Sequence, residues 1–133
     1  MSGLGPLSLS ILPETFAICR LEPSAPTPAW ARSGPFLSVT RTPTELSVVC
    51  LDAAAPPGVA ANRGWRAIAV AGTLDFGLTG VLSSLAVPLA AAGVSIFAVS
   101  TYDTDYVLVK DETLGRAVEA LAAAGHRFFE HKP

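Results

Sequence analysis

The second half of the chain shows a series of strand and helix patterns in an order that only a few known folds can have. WRAIAVAG, residues 65–72, has the nearly continuous apolar character of a buried strand. Leucines then recur at helical spacing before Gly93, which predicts a helix from about Thr79 to Ala92. Pro88 lies inside that helix and cannot donate a backbone hydrogen bond, so a kink or a short helix is expected.

A hairpin and a second helix follow. IFAVSTYDTDYVLV, residues 96–109, predicts two strands joined by a turn. Asp111 is the expected cap of a helix that Gly125 ends, and HRFFE then supplies a short closing strand. The resulting order, βαββαβ, is that of a ferredoxin-like unit, in which both helices lie on one face of an antiparallel sheet.

The first half resembles a shortened copy of the second. FLSVTRTPTELSVV, residues 36–49, aligns with residues 96–109 without a gap at an offset of 60 (96 − 36 and 109 − 49). This alignment places Glu45 on Asp105, so each hairpin carries an acidic residue at the start of its second strand. TFAICRL precedes the hairpin as a strand, PTPAWARSG allows at best one helical turn, and PPGVAANRG stands where a second helix is expected.

These patterns predict an α+β chain of two ferredoxin-like units that pack together, the first with shortened helices and both with antiparallel sheets. The expected division is a degenerate unit over residues 1–60 and a complete unit over residues 61–133.

Charge and hydropathy exclude two classes of partner. Nine Lys and Arg residues stand against eleven Asp and Glu residues, and the basic ones are scattered singly, so no basic stripe is available for nucleic acid. No apolar run approaches the roughly 18 residues of a membrane span. The N-terminal MSGLGPLSLSILPE lacks the basic segment of a signal peptide.

The residues that usually carry catalysis or hold metals form no pattern here. Cys19 and Cys50 lie in predicted strands and are interpreted as buried thiols in a reducing cytoplasm, in preference to a disulfide. His126 and His131 flank the last strand and are expected at the surface. No nucleophile lies in a recognisable elbow, so no catalytic residue, metal site or cofactor is predicted.

The loop between the first strand and helix of the second half offers a binding feature. GTLDFGLT, residues 72–79, follows the phosphate-loop pattern except that Leu78 replaces the lysine, so nucleotide binding is not expected. A glycine-bearing loop before a helix N-terminus still suits a carboxylate. The alternative is that Gly77 and Gly80 serve turn geometry alone, with Thr79 as an ordinary N-cap.

Two carboxylates interrupt the second hairpin. Asp103 and Asp105 stand between strand-forming residues, although Asp is depleted in strands and enriched in turns. Either they belong only to the hairpin turn, or one of them belongs to a site. An acid–base pair is disfavoured because no partner base is evident.

The loop LDFGLTG, the helix VLSSLAVPLAAAG and the hairpin STYDTDYVLV resemble the ACT domain family, and within it the ACT-like units of the CASTOR arginine sensors and of small bacterial proteins with tandem repeats of this kind. ETFAICRLEP and RTPTELSVVC extend the resemblance more weakly into the first half. The chain differs from the four-unit sensors in having about half their length, and it contains no catalytic domain to regulate.

The resemblance implies regulatory binding of an amino acid where ACT units meet. The position of Asp105 is the one that recognises the cationic end of the ligand in the arginine sensors. The ligand-binding residues implied are Leu78, Thr79, Gly80, Val81 and Leu82 on the loop and helix start, and Thr101, Tyr102 and Asp105 on the hairpin.

The sequence therefore predicts a cytoplasmic, non-catalytic regulatory protein of the ACT type that binds a small molecule, most plausibly an amino acid. A homodimer is expected because small sheets leave strand edges that commonly pair. No nucleic acid or membrane partner and no cofactor are expected. The alternative is a structural or self-association module that has lost ligand binding.

Overall fold

The structure, a computed structural model, describes residues 5–75 and 77–131. The predicted mixed α+β architecture is confirmed. The strands and α-helices are, in chain order, β1 Ser8–Ile11, β2 Phe16–Leu21, β3 Ser38–Arg41, β4 Leu46–Leu51, β5 Ala60–Val70, α1 Val81–Ala91, β6 Ile96–Ser100, β7 Asp105–Lys110, α2 Leu114–Ala123 and β8 Arg127–Phe128. Short 3₁₀ helices cover Ala29–Arg32, Asp52–Ala54 and Asp111–Thr113.

The chain divides into two compact units. The middle unit is Glu14–Trp65, and the outer unit combines the described residues up to Pro13 with those from Arg66 onward. The first residues of the chain thus pack with its second half, which a simple division near residue 60 does not predict. Strand β5 passes from the middle unit into the outer one.

The middle unit has strand order β3-β4-β2-β5, with antiparallel pairing throughout. Its helices are reduced to the 3₁₀ turns Ala29–Arg32 and Asp52–Ala54. The first of these agrees with the single turn expected in PTPAWARSG. The second lies before PPGVAANRG instead of within it, because Ala60, Ala61 and Asn62 already pair with β2 at the start of β5.

The core of the middle unit lies on one face of its sheet. Alternate residues of β2 and β4 point into it, as the period of two in a strand requires. Cys19 and Cys50 are both in this cluster, both are free thiols, and the Cys50 thiol hydrogen-bonds with Cys19. The buried members are Ala17, Cys19, Ala31, Leu46, Val48, Cys50 and Ala55.

The outer unit shows the predicted order β5-α1-β6-β7-α2-β8, but its last strand does not close the sheet as expected. Strand β5 pairs with β7 and with the N-terminal β1, and β8 pairs with β1 in parallel. The place beside β5 that a fourth ferredoxin strand would take is thus filled by β1. The expectation of wholly antiparallel sheets is wrong at this one pair among the described strands.

Both helices of the outer unit cover one face of its sheet. Leu85 and Leu89 of α1 and Leu121 of α2 are fully buried against inward-facing residues of β1, β5 and β7. Complete burial of such a side chain stabilises the fold by about 1.5–3 kcal/mol. None of the helices in the described part of the chain is long and apolar enough to cross a membrane.

Both helix starts differ from expectation. Helix α1 begins after Gly80, not at a Thr79 cap, and runs through Pro88 to Ala91. Helix α2 begins at Leu114, and Asp111 does not cap it. The Asp111 carboxylate instead accepts a 3.2 Å hydrogen bond from Arg66, which removes it from the helix start.

Candidate functional site

The candidate site is a cavity of about 290 Å³ in the outer unit, named here the loop cavity. It lies between the loop after β5, the start of α1 and the turn of the β6–β7 hairpin. Its lining residues are Leu74, Asp75, Leu78, Gly80, Val81, Leu82, Ser100, Thr101, Thr104 and Asp105. The volume is at the lower end of the range for ligand pockets, which suits a small ligand.

The helix start that faces this cavity is uncapped. Gly80 is the N-cap residue, with φ of 85°, a left-handed conformation that an L side chain rarely adopts. As a glycine, this residue has no side chain that could accept a hydrogen bond from the amides of the first turn. Those amides lack intrahelical partners and carry the positive end of the helix dipole, so they can receive a carboxylate.

The hairpin turn brings an acidic group to the same cavity. Ser100 and Asp105 are register partners at the end of β6 and the start of β7. Ser100 Oγ donates a 2.5 Å hydrogen bond to Asp105 Oδ1, which fixes the carboxylate and occupies one of its oxygens. The turn itself is closed by the Thr101 N–H donating to Thr104 O at 2.8 Å.

Hydrogen bonds join the hairpin turn to β5 and to the loop that follows it. Leu74 N–H donates to Asp103 O at 2.6 Å, and Thr104 Oγ1 donates to Val70 O at 2.8 Å. Asp75 Oδ1 accepts from Gly77 N–H at 2.8 Å, which shapes the turn that leads to Leu78. Phe76, which belongs to the LDFGLTG motif, lies outside the described residues.

The structure brings six of the eight implied residues together around the loop cavity: Leu78, Gly80, Val81, Leu82, Thr101 and Asp105. Thr79 and Tyr102 do not line it, and the Tyr102 side chain is 79% exposed at the hairpin turn. Their ligand role stays a prediction.

Four lining residues were not singled out from the sequence: Leu74, Asp75, Ser100 and Thr104. Ser100 could have been found from strand pairing, because a four-residue turn makes it the partner of Asp105. Asp75 could have been found from the loop motif in which it lies.

The histidines take unequal positions. His126 is 7% exposed, so its expected place at the surface is wrong. Its two ring nitrogens form hydrogen bonds with Leu7, the residue before β1, and with Ser84 of α1. His131 is partly buried, and its Nδ1 lies 2.9 Å from Ser10 Oγ. Among the described residues, no group of three or more His, Cys, Asp or Glu residues is arranged to hold a metal ion.

Comparison with known protein families gives a separate match for each half of the chain. A family model for the ACT domain matches residues 60–123, and a model for an N-terminal domain matches residues 14–57. Protein Atu0741 from Agobacterium tumefaciens, known from its crystal structure, is 38% identical to this chain. The alignment covers 98% of this chain and 97% of that protein, with a TM-score of 0.90.

Other matches include proteins whose names describe a sensor or a regulatory subunit. The human cytosolic arginine sensor for mTORC1 subunit 1 is 36% identical over 58 residues, which are 43% of this chain and 18% of the sensor. The aligned segment thus spans about a fifth of the length of that relative. The regulatory subunit of aspartate kinase from Thermus thermophilus has the same fold at 14% identity, with a TM-score of 0.60 over 84% of this chain and 93% of that one. Residues 60–123 are therefore an ACT domain, and the whole chain is similar in sequence and fold to Atu0741.

Proposed function

We propose that the protein is a non-catalytic regulatory protein that binds an amino acid in the loop cavity. The observation that carries the proposal is the combination, in one small cavity, of an uncapped helix N-terminus with the Asp105 carboxylate. An amino acid is a zwitterion, so its carboxylate suits the helix amides and its ammonium or side-chain cation suits Asp105. The names of the arginine sensor and of the aspartate kinase regulatory subunit support this class of function.

The negative charge of the cavity supports a ligand with a cationic group. Asp75 and Asp105 both line it, and none of its described lining residues is Lys or Arg. A ligand with a carboxylate alone would meet two acidic side chains without compensation. A zwitterion or a basic amino acid can place its carboxylate at the amides of the α1 start and its cationic group at Asp105.

We further propose that a second copy of the chain covers this site. Helix α1 has no charged side chain between Val81 and Ala91, yet Leu82 is 36% and Val87 66% exposed. A helix that is apolar on all sides is usually buried. Leu78 and Leu82 line the loop cavity and are also exposed, so the exposed apolar surface adjoins that cavity. A twofold contact between two α1 helices would meet no like charges, which favours a homodimer.

Two parts of the proposal rest on the relatives. A cytoplasmic location is supported by the name of the cytosolic arginine sensor. The proposed ACT domain at residues 61–133 agrees with the start of the ACT family match at residue 60, whereas the proposed shortened unit at residues 1–60 includes residues up to Pro13 that pack with the outer unit.

A screen of the twenty amino acids by thermal denaturation tests the function. A ligand at a hundred times its Kd adds about 2.7 kcal/mol to the free energy of unfolding. For a chain of this length that corresponds to a rise in Tm of about 10 °C. At least one amino acid at about 10 mM should produce a clear rise in Tm. The absence of any shift would favour the second candidate, a self-association module, which the exposed face of α1 also supports.

A further inference from the structure

A second cavity of about 690 Å³ lies in the outer unit, separate from the loop cavity. Its walls are β1, the end of β5, the turn of the β6–β7 hairpin and the segment after β8. We name it the β1 cavity. Its volume is within the range of small-molecule pockets. Thr101 and Thr104 line both cavities, so the hairpin turn forms a wall between them.

The β1 cavity has an acidic lining. The carboxylates of Asp103 and Glu130 belong to it, and no Lys or Arg does among the described lining residues. Neither carboxylate has a hydrogen bond or ion pair with another described residue. A cation in the cavity would therefore gain two favourable interactions without breaking existing ones.

Two aromatic rings accompany these carboxylates. Phe129 is 58% exposed, although its backbone is fixed by a 2.8 Å hydrogen bond from its N–H to Leu9 O. Tyr106 lines the same cavity from β7. A large aromatic ring held in place but left uncovered offers contact area at low entropic cost, and ring faces attract cations.

Two hydroxyl groups of the β1 cavity hold its walls together. Ser10 Oγ lies 2.9 Å from His131 Nδ1, which joins β1 to the segment after β8. Thr104 Oγ1 donates to Val70 O, which joins the hairpin to β5. These bonds join three of the walls, and Asp103 and Glu130 are the acidic side chains that the cavity offers to a ligand.

We propose that the β1 cavity binds an organic ammonium ion that carries no carboxylate. The ammonium group lies at Asp103 and Glu130, and the apolar part of the ligand packs against Phe129 and Tyr106. A carboxylate on the ligand would be repelled here, because none of the described residues that line the β1 cavity lies at a helix start. The ligand class therefore differs from the amino acid proposed for the loop cavity, and the inference does not depend on that proposal.

Isothermal titration with 2-phenylethylamine tests this inference, because the probe is an ammonium ion at pH 7 with an aromatic body and no carboxylate. The wild-type protein should bind it, and the neutral analogue 2-phenylethanol should bind about tenfold more weakly or not at all. The double variant Asp103→Asn with Glu130→Gln should lower the affinity about tenfold. Both substituted side chains are exposed, so circular dichroism should show an intact fold.

Asp105→Asn is the matched control, since Asp105 lines only the loop cavity. It should leave the affinity for 2-phenylethylamine within about twofold of wild type. The inference is overturned if the wild type gives no binding at about 10 mM probe, or if the double variant binds as tightly as the wild type. An equal loss from Asp105→Asn would also overturn it, because the probe would then occupy the loop cavity.

Discussion

His126 Nε2 lies 3.0 Å from the backbone oxygen of Ser84, the carbonyl that Pro88 leaves without its helical partner. In a regular helix the residue at position 88 would donate to Ser84 O, and proline has no N–H to do so. The other ring nitrogen, Nδ1, accepts a 3.0 Å hydrogen bond from Leu7 N–H. Nδ1 is therefore unprotonated, and Nε2 carries the proton that is donated to Ser84. The buried His126 side chain thus supplies the hydrogen bond that Pro88 cannot make in α1, and it also binds the backbone of Leu7 before β1.

Replacing His126 should destabilise the outer unit. His126→Phe keeps an aromatic ring but leaves Leu7 N–H and Ser84 O without partners. The loss should be about 2–4 kcal/mol, because each buried group loses its hydrogen bond. Chemical denaturation measures the change. His131→Phe is the control, since His131 is partly buried and has one hydrogen bond, and it should cost under about 1 kcal/mol. Equal losses for the two variants would contradict this role of His126.

The sequence pattern of the second half predicted most of the outer unit, because the segments with strand or helix periodicity are long there and the helices are followed by glycine. Gly93, with φ of 72°, and Gly125, with φ of 100°, follow the two helices where expected. Strand β1 was missed because it is only four residues long, and its pairing with β5 joins segments about sixty residues apart. Local sequence carries little information on such pairing.

The gapless alignment of the two hairpins was one residue out of register. Thr42 N–H donates to Glu45 O, and Thr101 N–H donates to Thr104 O, so equivalent turn residues are 59 apart (101 − 42 and 104 − 45). Glu45 thus ends its turn and matches Thr104, whereas Asp105 begins β7. The expectation of an acidic residue at the start of the second strand in both hairpins is wrong for β4, which begins at Leu46.

A side chain at position 80 should strain the start of α1. Gly80→Ala places a Cβ on a backbone with φ of 85°, which should cost about 1–2 kcal/mol of stability. Gly115→Ala in α2 is the matched control, because Gly115 has ordinary φ and open space around an added Cβ. It should stabilise the protein by about 0.5–1 kcal/mol. Opposite signs in chemical denaturation are expected, and a neutral Gly80→Ala would show that the left-handed start is dispensable.

A charge on the exposed face of α1 should separate the proposed dimer. Val87→Glu places two like charges at the proposed twofold contact and should give a monomer by analytical ultracentrifugation. Ala122→Glu adds the same charge at an exposed position of α2 and should leave the dimer intact. A wild-type monomer at about 100 µM would refute the dimer. A dimer that tolerates Val87→Glu would place the contact elsewhere.

Alkaline pH should weaken the middle unit through Cys50. Burial raises the pKa of the Cys50 thiol to about 12, from an ordinary value of 9.0, and the neighbouring Cys19 adds to the shift. The folded state keeps a proton that the unfolded state loses, so stability is unaffected below pH 9 and falls from there toward pH 12. The expected slope is about 1.4 kcal/mol per pH unit for this thiol.

The variant Cys50→Ala isolates that contribution. Its free energy of unfolding should fall less steeply between pH 9 and 11 than that of the wild type, by about 1.4 kcal/mol per unit. The cavity that the substitution creates lowers the free energy of unfolding equally at every pH, so it does not change the slope. Slopes that coincide would show that Cys50 ionises in the folded state as readily as in the unfolded chain.

The proposed ligand contact of Asp105 should be separable from the turn chemistry of Asp103. Asp105 lines the loop cavity and is fixed by Ser100, whereas Asp103 is exposed and lines only the β1 cavity. A hydrogen bond to a charged group contributes roughly 1.5–3 kcal/mol, which is about ten- to 150-fold in affinity. Asp105→Asn should weaken binding of the amino acid found in the screen by that factor, and Asp103→Asn should have almost no effect.

Ser100→Ala refines the same measurement. The substitution keeps the charge of Asp105 but removes the hydrogen bond that orients it, so calorimetry should show a loss of about two- to tenfold, smaller than that of Asp105→Asn. The order Asp105→Asn, then Ser100→Ala, then Asp103→Asn is the signature of a carboxylate that meets the ligand and is oriented by its strand partner. Equal losses from Asp105→Asn and Asp103→Asn would instead show that both carboxylates serve the hairpin alone, and that the amino acid binds elsewhere.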